Sequence, residues 1–174
     1  MSTRTLAPAL FLLAASVMPA SGQAFGPERE SLKGLPGFYV LVENLSPDAE
    51  RDGLTDAAIR TDVEQCLRRA DIRVLASSEE LFASSPAAPY LYVNVQAERG
   101  QMGATSLYVY RIDVQLNQWV HSQVTGNEIS GVTWHRGSFG TMKQSNLPSV
   151  RQIVTELVNQ FISDFRVANS FKSE

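Results

Sequence analysis

Two histidines, one cysteine and a handful of carboxylates limit the chemistry open to this chain. The histidines are His121 and His135. A structural zinc needs four Cys, His or carboxylate ligands, and Cys66 is the lone cysteine, so these residues do not close a metal site. Neither histidine sits in a nucleophile motif: no Gly-x-Ser-x-Gly occurs. Asp48, Glu50, Asp52 and Gly53 imitate the start of a calcium loop, but Ile59 stands where the closing bidentate glutamate belongs. The acidic run therefore reads as a solvated loop that caps a helix. In Arg136-Gly137-Ser138-Phe139-Gly140 the glycines carry neither a Walker lysine nor a GxGxxG pattern, and they read as conformational punctuation. The sequence thus points to no catalytic residue, no metal ligand and no cofactor.

The residues that could make contacts are of another kind. Trp119 and Trp134 flank a turn at Gly126-Asn127. A two-residue turn there would set Trp119 opposite Trp134 and Val124 opposite Ile129, giving a ribbon apolar on both sides. Such a ribbon needs cover from the domain or from another molecule. His135 and Arg136 continue that strand, and Tyr92 and Arg111 stand on neighbouring polar strand faces. Trp119, Trp134, His135, Arg136, Tyr92 and Arg111 are the candidate binding residues. The alternative is a small hydrolase-type enzyme in which His135 works with Arg136 and a carboxylate such as Asp113.

These side chains need a scaffold, which hydrophobic patterning supplies. Ile59, Val63, Cys66, Leu67 and Ala70 form one helical stripe, and Val150, Ile153, Val154, Leu157, Val158, Phe161, Ile162 and Phe165 form a stronger one. Residues 38–43 and 72–75 read as short strands, and Ser77–Phe82 as a helical turn. Tyr90–Glu98 alternates with period two, as does the stretch from Tyr108 to Val124, and 128–134 runs back. A single strand over 106–124 would extend roughly 60 Å, so a bulge, a bend or a projecting hairpin is required. Ser46-Pro47 starts a helical turn that Gly53 stops. The pattern predicts an α+β two-layer sandwich: a mostly antiparallel or mixed sheet of about five strands, two amphipathic helices on one face, the other face open.

Address and charge narrow the partners. Arg4, the apolar run 6–17 and the small residues of Ala20-Ser21-Gly22-Gln23-Ala24 read as a secretory signal peptide over 1–24. It is too short to span a bilayer, and no later run reaches ~18 apolar residues, so no membrane span is expected. No cysteine follows the run, leaving no lipid attachment point there. Of the 15 basic residues only Arg4 lies in that segment, so 14 remain against 18 acidic, a net −4. Interspersed acids and bases exclude nucleic acid as a partner. Residues 25–36 read as a flexible lead-in, 37–169 as one domain, and 170–174 as a disordered tail. The expected location is periplasmic or extracellular.

At GLTDAAIRTDVEQCLRRADIRVL, YLYVNV, the W-x-x-G-x-x-G of 134–140 and the closing helix, the chain resembles a group of small exported bacterial proteins with no assigned activity. Its arrangement is similar, more distantly, to the N-terminal α/β domain of TolB, which works by protein association. The resemblance brings no catalytic residues. With no closed catalytic or metal site but a polar strand face and a doubly apolar ribbon, the residues themselves read as a non-enzymatic binding or assembly module that contacts a protein partner or a second copy of itself.

Overall fold

The apolar stripe of the last helix sets the architecture. In the computed structural model, which describes residues 26–75, 88–103 and 105–170, helix Val150–Ser170 buries Val150, Val154, Leu157, Val158, Phe161 and Ile162. Phe161 sits at the centre, its ring edge-on to Phe38 and Trp134 with centroids 5.1 Å apart in both pairs. The elements in order are α1 (Pro27–Glu30), β1 (Tyr39–Val42), α2 (Pro47–Arg51), α3 (Asp56–Arg69), β2 (Tyr90–Met102), β3 (Thr105–His121), β4 (Glu128–Lys143), a 3-10 turn (Gln144–Ser149) and α4 (Val150–Ser170).

The fold is α+β, with a four-stranded mixed sheet in the order β1-β2-β3-β4. β1 runs parallel to β2, and the other pairs are antiparallel. The expected strand at 72–75 contributes one parallel bridge, Phe38 to Val74, outside the named strands. Gly37 explains how close it comes: at φ 154° a Cβ there would lie 2.7 Å from the Arg73 carbonyl oxygen. Both long helices lie on the same face. Ile59, Val63 and Leu67 of α3 join the α4 stripe in one core with Val40, Val42, Leu91, Val93, Val95, Ile112, Val114 and Leu116. The period-two strand pattern supplies these inward residues, and their alternates form the other face.

Caps fix the helix starts. Ser46 Oγ accepts from Ala49 N, with Pro47 at the first helical position, and Thr55 Oγ1 accepts from Ala58 N. Asp52, expected in a solvated loop, instead bridges elements: it accepts from Tyr108 Oη at 2.6 Å and Gln144 Nε2 at 2.9 Å. Those bonds hold its carboxyl below the ordinary value, the Tyr108 bond contributing most.

The described part of the segment expected as a flexible lead-in is tied down. Leu32 is fully buried, Asn169 Nδ2 donates to the Leu32 carbonyl at 3.1 Å, and Gly34 N donates to Asn169 Oδ1 at 2.8 Å. Local composition gives no sign of an anchor 137 residues away in sequence. Helix α4 also runs through Ser170, one residue past the expected domain end. The proposed signal peptide, the turn at Ser77–Phe82 and the tail after Ser170 lie outside the described residues. Among those residues, no helix is long and apolar enough to cross a membrane.

Candidate functional site

Of the six candidate binding residues, the structure sends two inward and leaves four on the face that no element of the described residues covers, the uncovered face below. The β3–β4 register is Trp119 to Ser130 and Leu116 to Trp134, not Trp119 to Trp134. Two features cause the shift. The connection is a longer loop, in which Ser122 N donates to the Asn127 carbonyl and Gly126 N to the Ser122 carbonyl, with Gly126 at φ 74°. A bulge at Leu116/Asn117 then leaves Thr133 as an extra residue on β4. Trp134 consequently points into the core and is fully buried, whereas Trp119 is 49% exposed.

Arg136 follows Trp134 to the helix side. It stacks on the Trp134 ring at 4.9 Å and donates to Asp164 Oδ2 at 3.1 Å and Glu28 Oε2 at 2.7 Å. His135 leaves the strand on the opposite face. The hydrolase arrangement therefore comes together only in part: His135 meets Asp113, and Arg136 is on the far side of the sheet.

The uncovered face carries the polar cluster. Asp113 of β3 is in register with Asn94 of β2 and Gly137 of β4. His135 Nε2 lies 2.9 Å from Asp113 Oδ1, and Arg111 Nε donates to Asp113 Oδ2 at 2.8 Å. An ionised carboxylate only accepts, so the first bond places a proton on Nε2. Burial pushes the Asp113 carboxyl up, but the His135 and Arg111 hydrogen bonds and charges outweigh it and leave it below the ordinary value. Gly137 makes room for this arrangement, because a Cβ there would stand 3.1 Å from Asp113 Oδ1 and 3.4 Å from His135 Nε2. The result is a hollow of about 400 Å³ lined by Arg111, Asp113, His135, Gly137, Ser138 and Phe139.

The second glycine of W-x-x-G-x-x-G serves the other side. Gly140 pairs with Tyr110, whose ring lies across it, so that a Cβ would come 2.9 Å from Tyr110 Oη. An aromatic side chain covering a strand glycine restores the packing that the glycine lacks. The loop read as punctuation is thus strand throughout, with each glycine clearing space for one cross-strand neighbour.

Around the cluster the face is apolar and aromatic. Phe139 is 86% exposed, Val109 53% and Val132 51%. Tyr92 donates to Glu43 Oε2 at 2.5 Å, and that bond pushes the phenol up to about 12. Nucleophiles are poorly placed. Ser138 is in register with the buried Ile112 and so leaves the strand away from His135. Cys66 lies beside a separate hollow of about 450 Å³ between α3 and α4, where burial pushes its thiol up and disfavours the reactive thiolate. Among the described residues, no group of three or more His, Cys, Asp and Glu side chains could hold a metal ion.

Residue patterning missed Asp164. It is buried, accepts from Trp134 Nε1, Arg29 and Arg136, and links α1, β4 and α4. The signal was present: an ionisable residue three positions after Phe161 and seven after Leu157 falls on the apolar stripe of a helix.

No family model matches the chain, and no curated protein matches it. Solved structures do. The chain is similar to a PelC dodecamer from Paraburkholderia phytofirmans that carries one leucine-to-methionine substitution, at 21% identity and a TM-score of 0.42, over 76% of this chain and 90% of that one. A second PelC dodecamer from the same organism gives 19% and 0.40, over 75% and 89%. A minor lipoprotein from Acinetobacter baumannii gives 14% and 0.36, over 75% and 91%. TolB is not among these three, and its similarity to this chain finds no support in them.

Proposed function

We propose that this chain is an exported, non-enzymatic binding or assembly module whose uncovered sheet face contacts another macromolecule of the cell envelope. The observation that carries the reading is the contrast between the two faces of one sheet. One is sealed by α3 and α4, while the other presents Phe139, Val109, Val132 and Trp119 around a satisfied polar cluster. Phe139 neighbours Val109 at one end of the cluster and Trp119 neighbours Val132 at the other, and grouped exposed apolar side chains of this kind mark contact surfaces. The His135–Asp113 pair serves this surface as a fixed polar centre, because it is bonded to the Arg111 guanidinium rather than to an activated hydroxyl or thiol.

Labelling at one position tests the proposal. In a Cys66→Ser background, Phe139→Cys is exposed to a maleimide both in the cells that make the protein and in dilute purified protein. Contact through this face predicts strong protection in cells and full labelling in dilution. Equal labelling in the two settings rejects the reading.

A further inference from the structure

Strand parity shows where the sheet is still open. Along a strand, the backbone N–H and C=O groups of successive residues point alternately to its two sides. Glu43 N donates to the Val93 carbonyl, so the odd-numbered residues of β2 face β1. The pairs Asn94–Asp113 and Val114–Arg136 carry this parity across the sheet. Even-numbered residues of β3 and β4 face each other, and the odd-numbered residues of β4 past its bulge face outward. The bond from Arg136 to the His135 carbonyl agrees with that direction.

Gly137, Phe139, Thr141 and Lys143 therefore turn their N–H and C=O groups to the rim. All four residues are exposed, and none of these backbone groups has a hydrogen-bond partner among the described residues. The opposite border is shorter and covered. Phe38 N donates to the Arg73 carbonyl and Leu75 N to the Phe38 carbonyl, while Val40 and Val42 are buried. Where β2 outruns β1, Val95 and Ala97 are buried and Ser46 Oγ donates to the Ala97 carbonyl at 2.9 Å, which leaves Arg99 and Gln101. Sheets blunt an open edge with proline, charge, a bulge or brevity. From Gly137 to Lys143 there is no proline, the bulge lies behind at Leu116/Asn117, and the one charge is Lys143 at the end.

We infer that this rim receives an extended segment of another protein, which adds a fifth strand beside Gly137–Lys143. The inference concerns the rim and is independent of what covers the sheet face. The unmatched groups name the occupant. Donors and acceptors alternating at strand spacing over about 20 Å are matched by a second extended backbone, whereas a glycan or a lipid headgroup carries no such row. The ladder begins at Gly137, because Arg136 already occupies the His135 carbonyl.

Flanking side chains say what the segment carries. On the uncovered face, its residue beside Gly137 enters the hollow of about 400 Å³ lined by Arg111, Asp113 and His135, since the glycine places no side chain in the way. Its next residue on that face meets the Phe139 ring, 86% exposed, where a β-branched or aromatic side chain gains most. Proline is excluded wherever the segment donates to β4.

The test turns on Thr141→Pro. The Thr141 N–H points to the rim, so proline removes one edge donor and leaves the bonds between β3 and β4 in place. Short random peptides displayed on phage are selected on the wild-type protein, and the enriched ones are synthesised. The inference predicts proline-poor sequences that bind Thr141→Pro about tenfold or more weakly than wild type. They should also shift the backbone amide NMR signals of Gly137, Phe139, Thr141 and Lys143. N-methylation of one alternate set of peptide amides should abolish binding to wild type while the other set is tolerated, a readout that holds even where Thr141→Pro does not fold. A selection that yields no such peptide, or peptides whose shifts map elsewhere, overturns the inference. A purified protein of twice the chain mass by light scattering that becomes monomeric in Thr141→Pro assigns the rim to a second copy and overturns it too.

Discussion

Trp134 donates its indole N–H to Asp164 Oδ2 at 3.0 Å, across the layer boundary between β4 and α4. The same carboxylate takes Arg29 Nε at 2.6 Å and Arg136 at 3.1 Å, so one buried acid holds α1, β4 and α4 together. Asp164→Ala leaves the indole N–H without that acceptor and removes the carboxylate from both guanidinium groups. Because the guanidinium groups are about one-third exposed, the expected loss is about 2 kcal/mol rather than the larger cost of a fully buried pair. Asp164→Asn, which keeps an acceptor for Trp134, should lose less. Urea denaturation measures both. A loss within ~0.5 kcal/mol, the level of an ordinary surface substitution, would show that the network does not contribute.

Phe161→Ala should cost about 3 to 5 kcal/mol. The ring is fully buried and packs edge-on against both Phe38 and Trp134, so its removal leaves a cavity between the layers. A denaturation midpoint close to wild type would mean that α4 is not docked through this residue.

Gly137→Ala places a methyl group 3.1 Å from Asp113 Oδ1 and from the Ile112 carbonyl oxygen. Since Ile112 O is backbone and cannot swing away, the expected cost is about 1 to 2 kcal/mol. The His135–Asp113 bond should weaken as well, and the His135 ring resonances in NMR should shift. Unchanged stability together with unchanged ring shifts would rule out a space-clearing role for this glycine.

Acid should distinguish Asp113 from its neighbours. Its folded-state carboxyl lies below the ordinary 3.8, so its ionised form stabilises the fold in full above that value. The contribution is lost as pH falls through the lowered folded value. The stability advantage of wild type over Asp113→Asn should therefore be present at about pH 6 and shrink by about pH 3. Asp52 titrates in the same direction, but it is common to both proteins and cancels in the difference. An advantage that stays constant across this window contradicts the assignment.

Trp119→Phe leaves Trp134 as the single indole. Its emission should be blue-shifted and nearly insensitive to acrylamide, with stability within ~0.5 kcal/mol of wild type. Strong quenching would place Trp134 at the surface and undo the register.

The layers were legible because each rests on a periodicity. The stripe from Val150 to Phe165 and the alternation over Tyr90–Glu98 both depend on which side of an element a residue occupies, and local sequence carries that information. What local sequence lacks is register. Alternation is the same for every even shift of one strand past another, and turn length decides among them. A longer loop before Glu128 and an extra residue at Thr133 moved Trp134 from Trp119 to Leu116 and turned a candidate contact residue into core. The pairing of His135 with Asp113 depended on that register too. Leu32 was missed for a related reason: its anchor on Asn169 lies at the far end of the chain.

The rim of the sheet has a feature that guards against unwanted strand addition. β4 is an edge strand of sixteen residues, long enough to recruit strands end over end into a fibre. Near its middle, however, the Thr133 carbonyl accepts from Ser31 Oγ at 3.3 Å and the His135 carbonyl from Arg136 at 2.6 Å. Side chains occupy two acceptors that an incoming backbone would have to use. The contacts bind the middle of this border to α1 and to the strand's own arginine, and an added strand would have to share those acceptors.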